Sequence, residues 1–143
     1  PNVTFRIAAL TEMSPTLLSM VQYPNVVLYQ NISQNRIKEL LNVSSIYLDI
    51  NHYGEVQGIV RKTFEHKQVI LGFAHTLHDR RYIARENIFE QGKEADLVNR
   101  IKEIYQSVDR YEEALASQIS QSSAVDKEVF RACFQAGLGD ENV

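Results

Sequence analysis

Four short β-rich runs in the first half of the chain, each separated from the next by a helical pattern, leave few folds open. Val3–Leu10 (VTFRIAAL), Asn25–Tyr29 (NVVLY), Ile46–Ile50 (IYLDI) and Gln68–Phe73 (QVILGF) read as strands. Ser14-Pro15 opens a helix after the first, a capping hydroxyl ahead of a proline at the first helical position. Tyr23-Pro24 stops it, because the residue before proline is pushed out of the α region. Ser33 caps the next helix, whose Ile37, Leu40 and Leu41 recur at the i, i+3, i+4 spacing of one buried face. Glu55–Glu65 reads as a third helix. Strands joined by short helical crossovers pair in parallel, so the order predicts an α/β, Rossmann-like parallel sheet flanked by helices.

The second half changes character. Residues 74–85 (AHTLHDRRYIAR) read as a polar loop and Asn87–Glu90 as a short extra strand. Leu97, Ile101, Ile104, Tyr105 and Val108 mark a helix, and Tyr111, Ala114 and Leu115 continue or restart one. The serine-rich stretch 117–126 (SQISQSSAVD) reads as a break, followed by a last short helix over Lys127–Ala136 with Phe130 and Phe134 on one side. Gly137 and Gly139 are expected to end it and the final residues to fray. The predicted division is a domain over 1–116 and a serine-rich linker with C-terminal helix and tail over 117–143. A length of 143 residues suits one domain with an ordinary core.

Several function classes drop out. A net charge of −3 supplies no basic field for nucleic acid or an anionic membrane. Cys133 is the only cysteine, so there is no internal disulfide and no cysteine-built zinc site. No apolar run approaches the roughly 20 residues of a membrane helix. The chain opens on a β-rich run without a signal-peptide pattern or an initiator Met, which suggests a domain of a longer protein. After the first strand stands AALTEMS instead of a GxGxxG fingerprint, and neither a P-loop nor a GxSxG elbow occurs. His75 and His78 form an HxxH without a third ligand, which is a weak metal signal.

What remains is polar residues loaded at strand ends. In open α/β sheets, ligands bind at the carboxyl ends of the strands, beside helix N-termini. Thr11, Glu12 and Ser14 follow the first strand, and Gln30 and Asn31 the second. Asp49, Asn51 and His52 follow the third, where Gly54 permits a tight entry and a helix from Glu55 would aim free N–H groups at the loop. Arg80 and Arg81 follow the fourth and offer forks that match phosphates. Each group also has a plain reading, as backbone caps or solvated charge. Convergence of the strand ends on one sheet edge is what argues for a site.

These residues carry a family resemblance. FRIAALTEMSPTLLSM, YPNVVLYQNIS, ELLNVSSIYLDINHYGEV and VILGFAHTLHDRRYI resemble the C-terminal half of a two-domain GT-B glycosyltransferase. More narrowly, they are similar to the glycosyltransferase-like proteins of streptococcal-type accessory secretion loci, over about residues 3–115. That family adds N-acetylglucosamine to serine-rich repeat adhesins in the cytoplasm. The resemblance implies no cofactor, a nucleotide sugar such as UDP-N-acetylglucosamine as ligand, a serine-rich acceptor protein and a homologous glycosyltransferase subunit as partners. It leaves peripheral membrane association only to a full-length complex. It implies nucleotide-sugar contacts from Thr11–Ser14, from Tyr29–Ile32 and from Asn51–Val56.

One departure matters. Active retaining members carry two glutamates with seven residues between them, holding sugar and ribose. Counting from Glu55, the second place is Thr63; aligning on the strands instead gives Tyr53 and Arg61. Neither register yields the pair. The resemblance then implies the stabilising, acceptor-binding subunit rather than the catalytic one, with the donor-binding half of an active enzyme as the alternative. An isolated half supplies only one wall of a two-domain cleft and is expected to be inactive.

Overall fold

In the computed structural model, residues 3–56 and 58–139 are described. The chain divides into two compact units, Pro1–Ser44 and Ser45–Val143. The first holds β1 (Phe5–Ala8), α1 (Pro15–Leu18), β2 (Val26–Tyr29) and α2 (Gln34–Val43). The second holds β3 (Ile46–Asp49), α3 (Ile59–Glu65), β4 (Val69–Phe73), β5 (Ile88–Phe89), α4 (Glu94–Ile104) and α5 (Val108–Gly139). This is a mixed α/β architecture with parallel sheets flanked by helices. The strands distribute over two hydrogen-bonded sheets, β1-β2 and β3-β4-β5, every pair of them parallel.

In the first unit, Ser14 Oγ accepts from Leu17 N at 3.3 Å, as the Ser-Pro pattern predicts. The α1 helix is a single turn that tightens into a 3₁₀ turn over Ser19–Gln22 before Tyr23-Pro24. Ser33 caps α2 through Arg36 N at 3.3 Å. Met13, Ile32 and Leu41 are buried here.

The second unit is built around β4. Val69 and Leu71 pack on one face against Leu97, Ile101, Ile104 and Ala114. Ile70, on the opposite face, packs with Val60 and Ile83. A strand covered on both sides reads as a continuous apolar run rather than an alternating one, which is why VIL is unbroken. Each fully buried aliphatic side chain contributes about 1.5–3 kcal/mol. Gly72 sits where strands meet closely: a Cβ there would lie 2.6 Å from Asp49 O and 2.5 Å from Leu77 Cδ2.

Three local expectations are corrected. Helix α3 begins at Ile59, not Glu55, because Gly58 takes a left-handed conformation (φ 67°, ψ 31°) as its N-cap. The glycine that turns the chain into α3 is therefore Gly58; a Cβ on Gly54 would meet nothing within 4 Å. The serine-rich stretch 117–126 is no break but the middle of α5, which starts afresh at Val108 with Ser107 Oγ accepting from Arg110 N at 3.2 Å. The physical reason is tertiary: the small polar side of the stretch faces protein. Ser122 is buried, Gln121 Nε2 donates to Glu86 Oε2 at 2.8 Å, and Ser117 Oγ donates to the other oxygen of that carboxylate. The short helix expected over Lys127–Ala136 is the last part of α5, which runs on past Ala136 to Gly139, and the fraying expected of the final residues lies outside the described ones.

Gln118, buried to 1% exposure, makes the most informative of these contacts. Its Oε1 accepts from Ile70 N and its Nε2 donates to Gln68 O, both at 2.8 Å. Those are the two bonds that a residue in a neighbouring parallel strand would make around Val69. The two-residue β5 pairs only with Gly72 and Phe73, so the side-chain amide stands in for strand where β5 does not reach. At the same end of β4, Tyr111 Oη lies 3.0 Å from both Ser45 O and Lys67 O.

Candidate functional site

The sequence candidates fall into both units, and each group is described within its own. In the first unit, the register Ala8↔Tyr29 brings the carboxyl ends of β1 and β2 side by side. The loops that follow are zipped together. Ile32 N donates to Ala9 O at 3.0 Å, Asn31 N to Thr11 O at 3.2 Å, and Met13 N to Gln30 Oε1 at 2.9 Å. Asn31 holds φ 48°, a left-handed conformation that asparagine tolerates better than most residues. Thr11 Oγ1 donates locally to Glu12 O at 3.3 Å. Thr11, Glu12, Ser14, Gln30 and Asn31 are thus gathered at one edge and exposed, with the Gln30 carbonyl and the Ser14 hydroxyl already spent on backbone.

In the second unit the centre is Asp49, fully buried at the end of β3. Its main-chain oxygen accepts from Thr76 Oγ1 at 2.8 Å. Its carboxylate takes two bonds from one residue: His78 N to Oδ2 at 2.8 Å and His78 Nδ1 to Oδ1 at 2.5 Å. The other ring nitrogen, Nε2, lies 2.6 Å from Tyr53 O. A carboxylate and a carbonyl can only accept, so both contacts are satisfied together when both ring nitrogens carry hydrogen, as they do in the imidazolium form. The Tyr53 carbonyl raises the His78 pKa above its ordinary value, the Asp49 carboxylate adds to this, and burial works against it. Burial also pushes the Tyr47 hydroxyl upward, helped by the charges of Asp49 and Glu55.

The loop between β3 and α3 turns its polar groups onto its own chain. Asn51 Oδ1 accepts from Tyr53 N at 3.1 Å, an Asx turn. Glu55 Oε1 accepts from Val60 N at 3.1 Å, placing a carboxylate on the first turn of α3. Val56 is half-buried and its carbonyl accepts from Ile59 N at 3.0 Å. The rings of His52 and Tyr53 face outward, Tyr53 with 82% exposure. His52 lies 5.4 Å from His75, centroid to centroid, and His75 lies 5.9 Å from Phe73.

After β4, Arg81 forks onto Asp79, Nε to Oδ1 at 3.0 Å and Nη2 to Oδ2 at 2.8 Å. That fork holds the Asp79 carboxyl below its usual range. Arg80 Nη2 donates to Ala74 O at 3.3 Å. Both guanidinium groups remain exposed. Elsewhere in this unit, a cleft of about 360 Å³ is lined by Glu86, Arg100, Arg110, Glu113 and Ala114. It carries both signs of charge, and Arg100 is engaged with Asn87 Oδ1 at 2.8 Å and Glu103 Oε2 at 3.0 Å.

Two of the positions where a glutamate pair would stand are closed to that role. Thr63 is fully buried and donates Oγ1 to Ile59 O at 2.7 Å, inside its own helix. Arg61 pairs with Glu65 at 2.9 Å on the surface. Asp49 and His78 form a closely bonded polar group at the end of β3, and in the sequence His78 stood out only as half of a weak HxxH. An Asp ending a buried strand was the available signal; its partner lies 29 residues on, and nothing local marks it.

Residues 1–118 match the family described as the GftB/GlyA-F C-terminal domain. The chain is 49% identical over 139 residues to a protein of Streptococcus pneumoniae serotype 4, covering 97% of this chain and 31% of that protein. It is 47% identical over 142 residues to one of Streptococcus gordonii, covering 99% and 32%. Both bear the name UDP-N-acetylglucosamine–peptide N-acetylglucosaminyltransferase stabilizing protein GtfB. The chain therefore spans about a third of the length of these relatives. Among solved structures, a chain of the GtfA/B complex bound to UDP and GlcNAc superposes with a TM-score of 0.78 at 47% identity, covering 92% of this chain and 30% of that one.

Proposed function

The chain belongs to the GftB/GlyA-F C-terminal domain family, and on that premise we propose that it is the C-terminal half of a GT-B-fold stabilising subunit. In this reading the whole protein partners a homologous catalytic subunit in the cytoplasm. It holds a serine-rich acceptor protein for O-glycosylation from UDP-N-acetylglucosamine, and does not itself transfer sugar. The observation that carries the reading is the fate of the glutamate positions. Glu55 is committed to Val60 N, and its counterpart Thr63 is sealed inside α3. A carboxylate that would bond a ribose hydroxyl is absent there, which removes about 1.5–3 kcal/mol of charge-assisted bonding. The names of the relatives support the stabilising part of this reading, and the acceptor-binding part rests on the division of labour it implies.

The test is radiolabelled sugar transfer from a UDP-sugar donor to a serine-rich acceptor peptide by the full-length protein, alone and with a catalytic partner. No turnover alone, with stimulation of the partner, is the expected result. Robust transfer by the full-length protein alone, abolished by His52→Ala and Glu55→Gln, would instead make this the donor-binding half of an active enzyme.

A further inference from the structure

We propose that His78 is a charged latch: clamped between the buried Asp49 carboxylate and the Tyr53 carbonyl, it fixes the loop over residues 50–56, and loss of its proton releases that loop. The inference goes beyond the assignment of any ligand and stands or falls independently of it.

The geometry carries it. Asp49 has no exposure to water, so its charge is tolerable only with partners, and both of its oxygens are served by His78, one through the ring and one through the main chain. The remaining ring nitrogen reaches across to Tyr53 O at 2.6 Å, 25 residues away in sequence. The hydrogen bonds of Tyr53 N to Asn51 and of Glu55 to Val60 stay within or beside the loop, whereas His78 ties the loop to the segment that follows β4. The His52–His75 ring contact, 5.4 Å between centroids, is a second and weaker tie between the same two segments.

The two ring protons are not equivalent. The Nδ1 proton faces an anion and is retained; the Nε2 proton faces a neutral carbonyl and is the one that leaves. Once it leaves, a nitrogen lone pair points at the Tyr53 oxygen, and an attractive contact becomes a repulsive one. Asp49 keeps its ring partner throughout, so the loop opens while the strand end stays intact. The charges around the ring favour the closed state: Asp49 from β3 and Glu55 from the loop are anions, and the neighbouring Tyr47 hydroxyl is kept neutral by burial. Asp79, next in sequence, is matched by Arg81 and adds little net field. The His78 pKa is raised, so the latch is complete below the free imidazole value of 6.5 and is lost as pH rises through the higher value of the folded chain. The exposed His52 and Tyr53 rings are therefore presented as a fixed surface below the raised His78 pKa and as a mobile one above it.

The experiment is a nitrogen-15 NMR titration of the 143-residue chain from about pH 5.5 to 9.5, following the histidine rings and the Tyr53, Gly54 and Glu55 amides. The expected result is a His78 transition above the free value. The three loop amides should shift with that same midpoint, and their exchange protection should fall by up to about tenfold per pH unit between the free imidazole value and that midpoint and level off above it. His78→Gln, which cannot carry charge, should place the loop amides at pH 6 where the unaltered chain has them at alkaline pH. A His78 ring that titrates at 6.5, or loop amides that ignore its transition, would overturn the proposal. So would loop amides of His78→Gln that keep their low-pH positions; if that variant does not fold, the titration of the unaltered chain decides.

Discussion

Replacing Gln118 by leucine tests whether a side-chain amide stands in for a missing strand. Leucine is close to glutamine in volume and fits a helix, so neither packing nor helix propensity changes much. What changes is that Ile70 N and Gln68 O, bonded to Gln118 at 2.8 Å each, are left facing apolar atoms. A buried backbone group without a partner costs about 1–3 kcal/mol. The more apolar side chain returns about 1 kcal/mol, so a net loss of about 1–5 kcal/mol follows. Against a total stability of about 5–15 kcal/mol, the centre of that range is a large effect. Urea unfolding followed by circular dichroism reads the loss, and native-state hydrogen exchange at Ile70 reads its location. Gln118→Glu sharpens the test. A carboxylate still accepts from Ile70 N but turns a second acceptor toward Gln68 O; the protonated acid donates there as glutamine does. Its folded pKa is thereby raised, so the variant approaches the parent below about pH 4.3 and loses stability relative to it as pH rises. If Gln118→Leu cost less than about 0.5 kcal/mol and left Ile70 exchange unchanged, the strand-substitute account would be wrong.

Three further outcomes follow from single contacts. Gly72→Ala drives a Cβ to 2.6 Å from Asp49 O, so β3 or Leu77 must shift at a cost of about 1–3 kcal/mol, read as a lower melting temperature. An unchanged melting temperature would mean that β3 and β4 are not packed this closely. Ser33→Ala removes the acceptor for Arg36 N and should cost about 0.5–2 kcal/mol, with faster exchange at that amide. Tyr111→Phe deletes the hydroxyl shared by Ser45 O and Lys67 O, lowering the urea midpoint by the equivalent of about 0.5–1.5 kcal/mol. A midpoint equal to that of the parent would show that water replaces it.

Some of this protein is written in short-range chemistry and needs no fold to be read. Ser14-Pro15, Ser33 and Tyr23-Pro24 each act within four residues, so caps and stops match the sequence expectation. The parallel pairing follows from the strand–helix alternation, and β4 announces its two covered faces as an unbroken apolar run. The strand-end residues were likewise legible as polar clusters, because strands and their ends are local features.

What each polar group does there was decided only by tertiary contacts. Asp49 is a ligand-edge carboxylate on paper; a histidine 29 residues on makes it half of an ion pair. Residues 117–126 look like a linker because solvated serine hydroxyls compete for backbone hydrogen bonds and favour turns. Gln118, 48 residues beyond the strand it completes, is helical because its amide finds partners in the interior and the neighbouring Ser117 hydroxyl finds the Glu86 carboxylate. Helix α3 starts late because Gly58, and not Gly54, takes the left-handed conformation, a choice between two glycines that both permit it. Local propensity costs tenths of a kcal/mol per residue, whereas an unpaired buried amide costs whole ones, so where the two disagreed the distant partner prevailed.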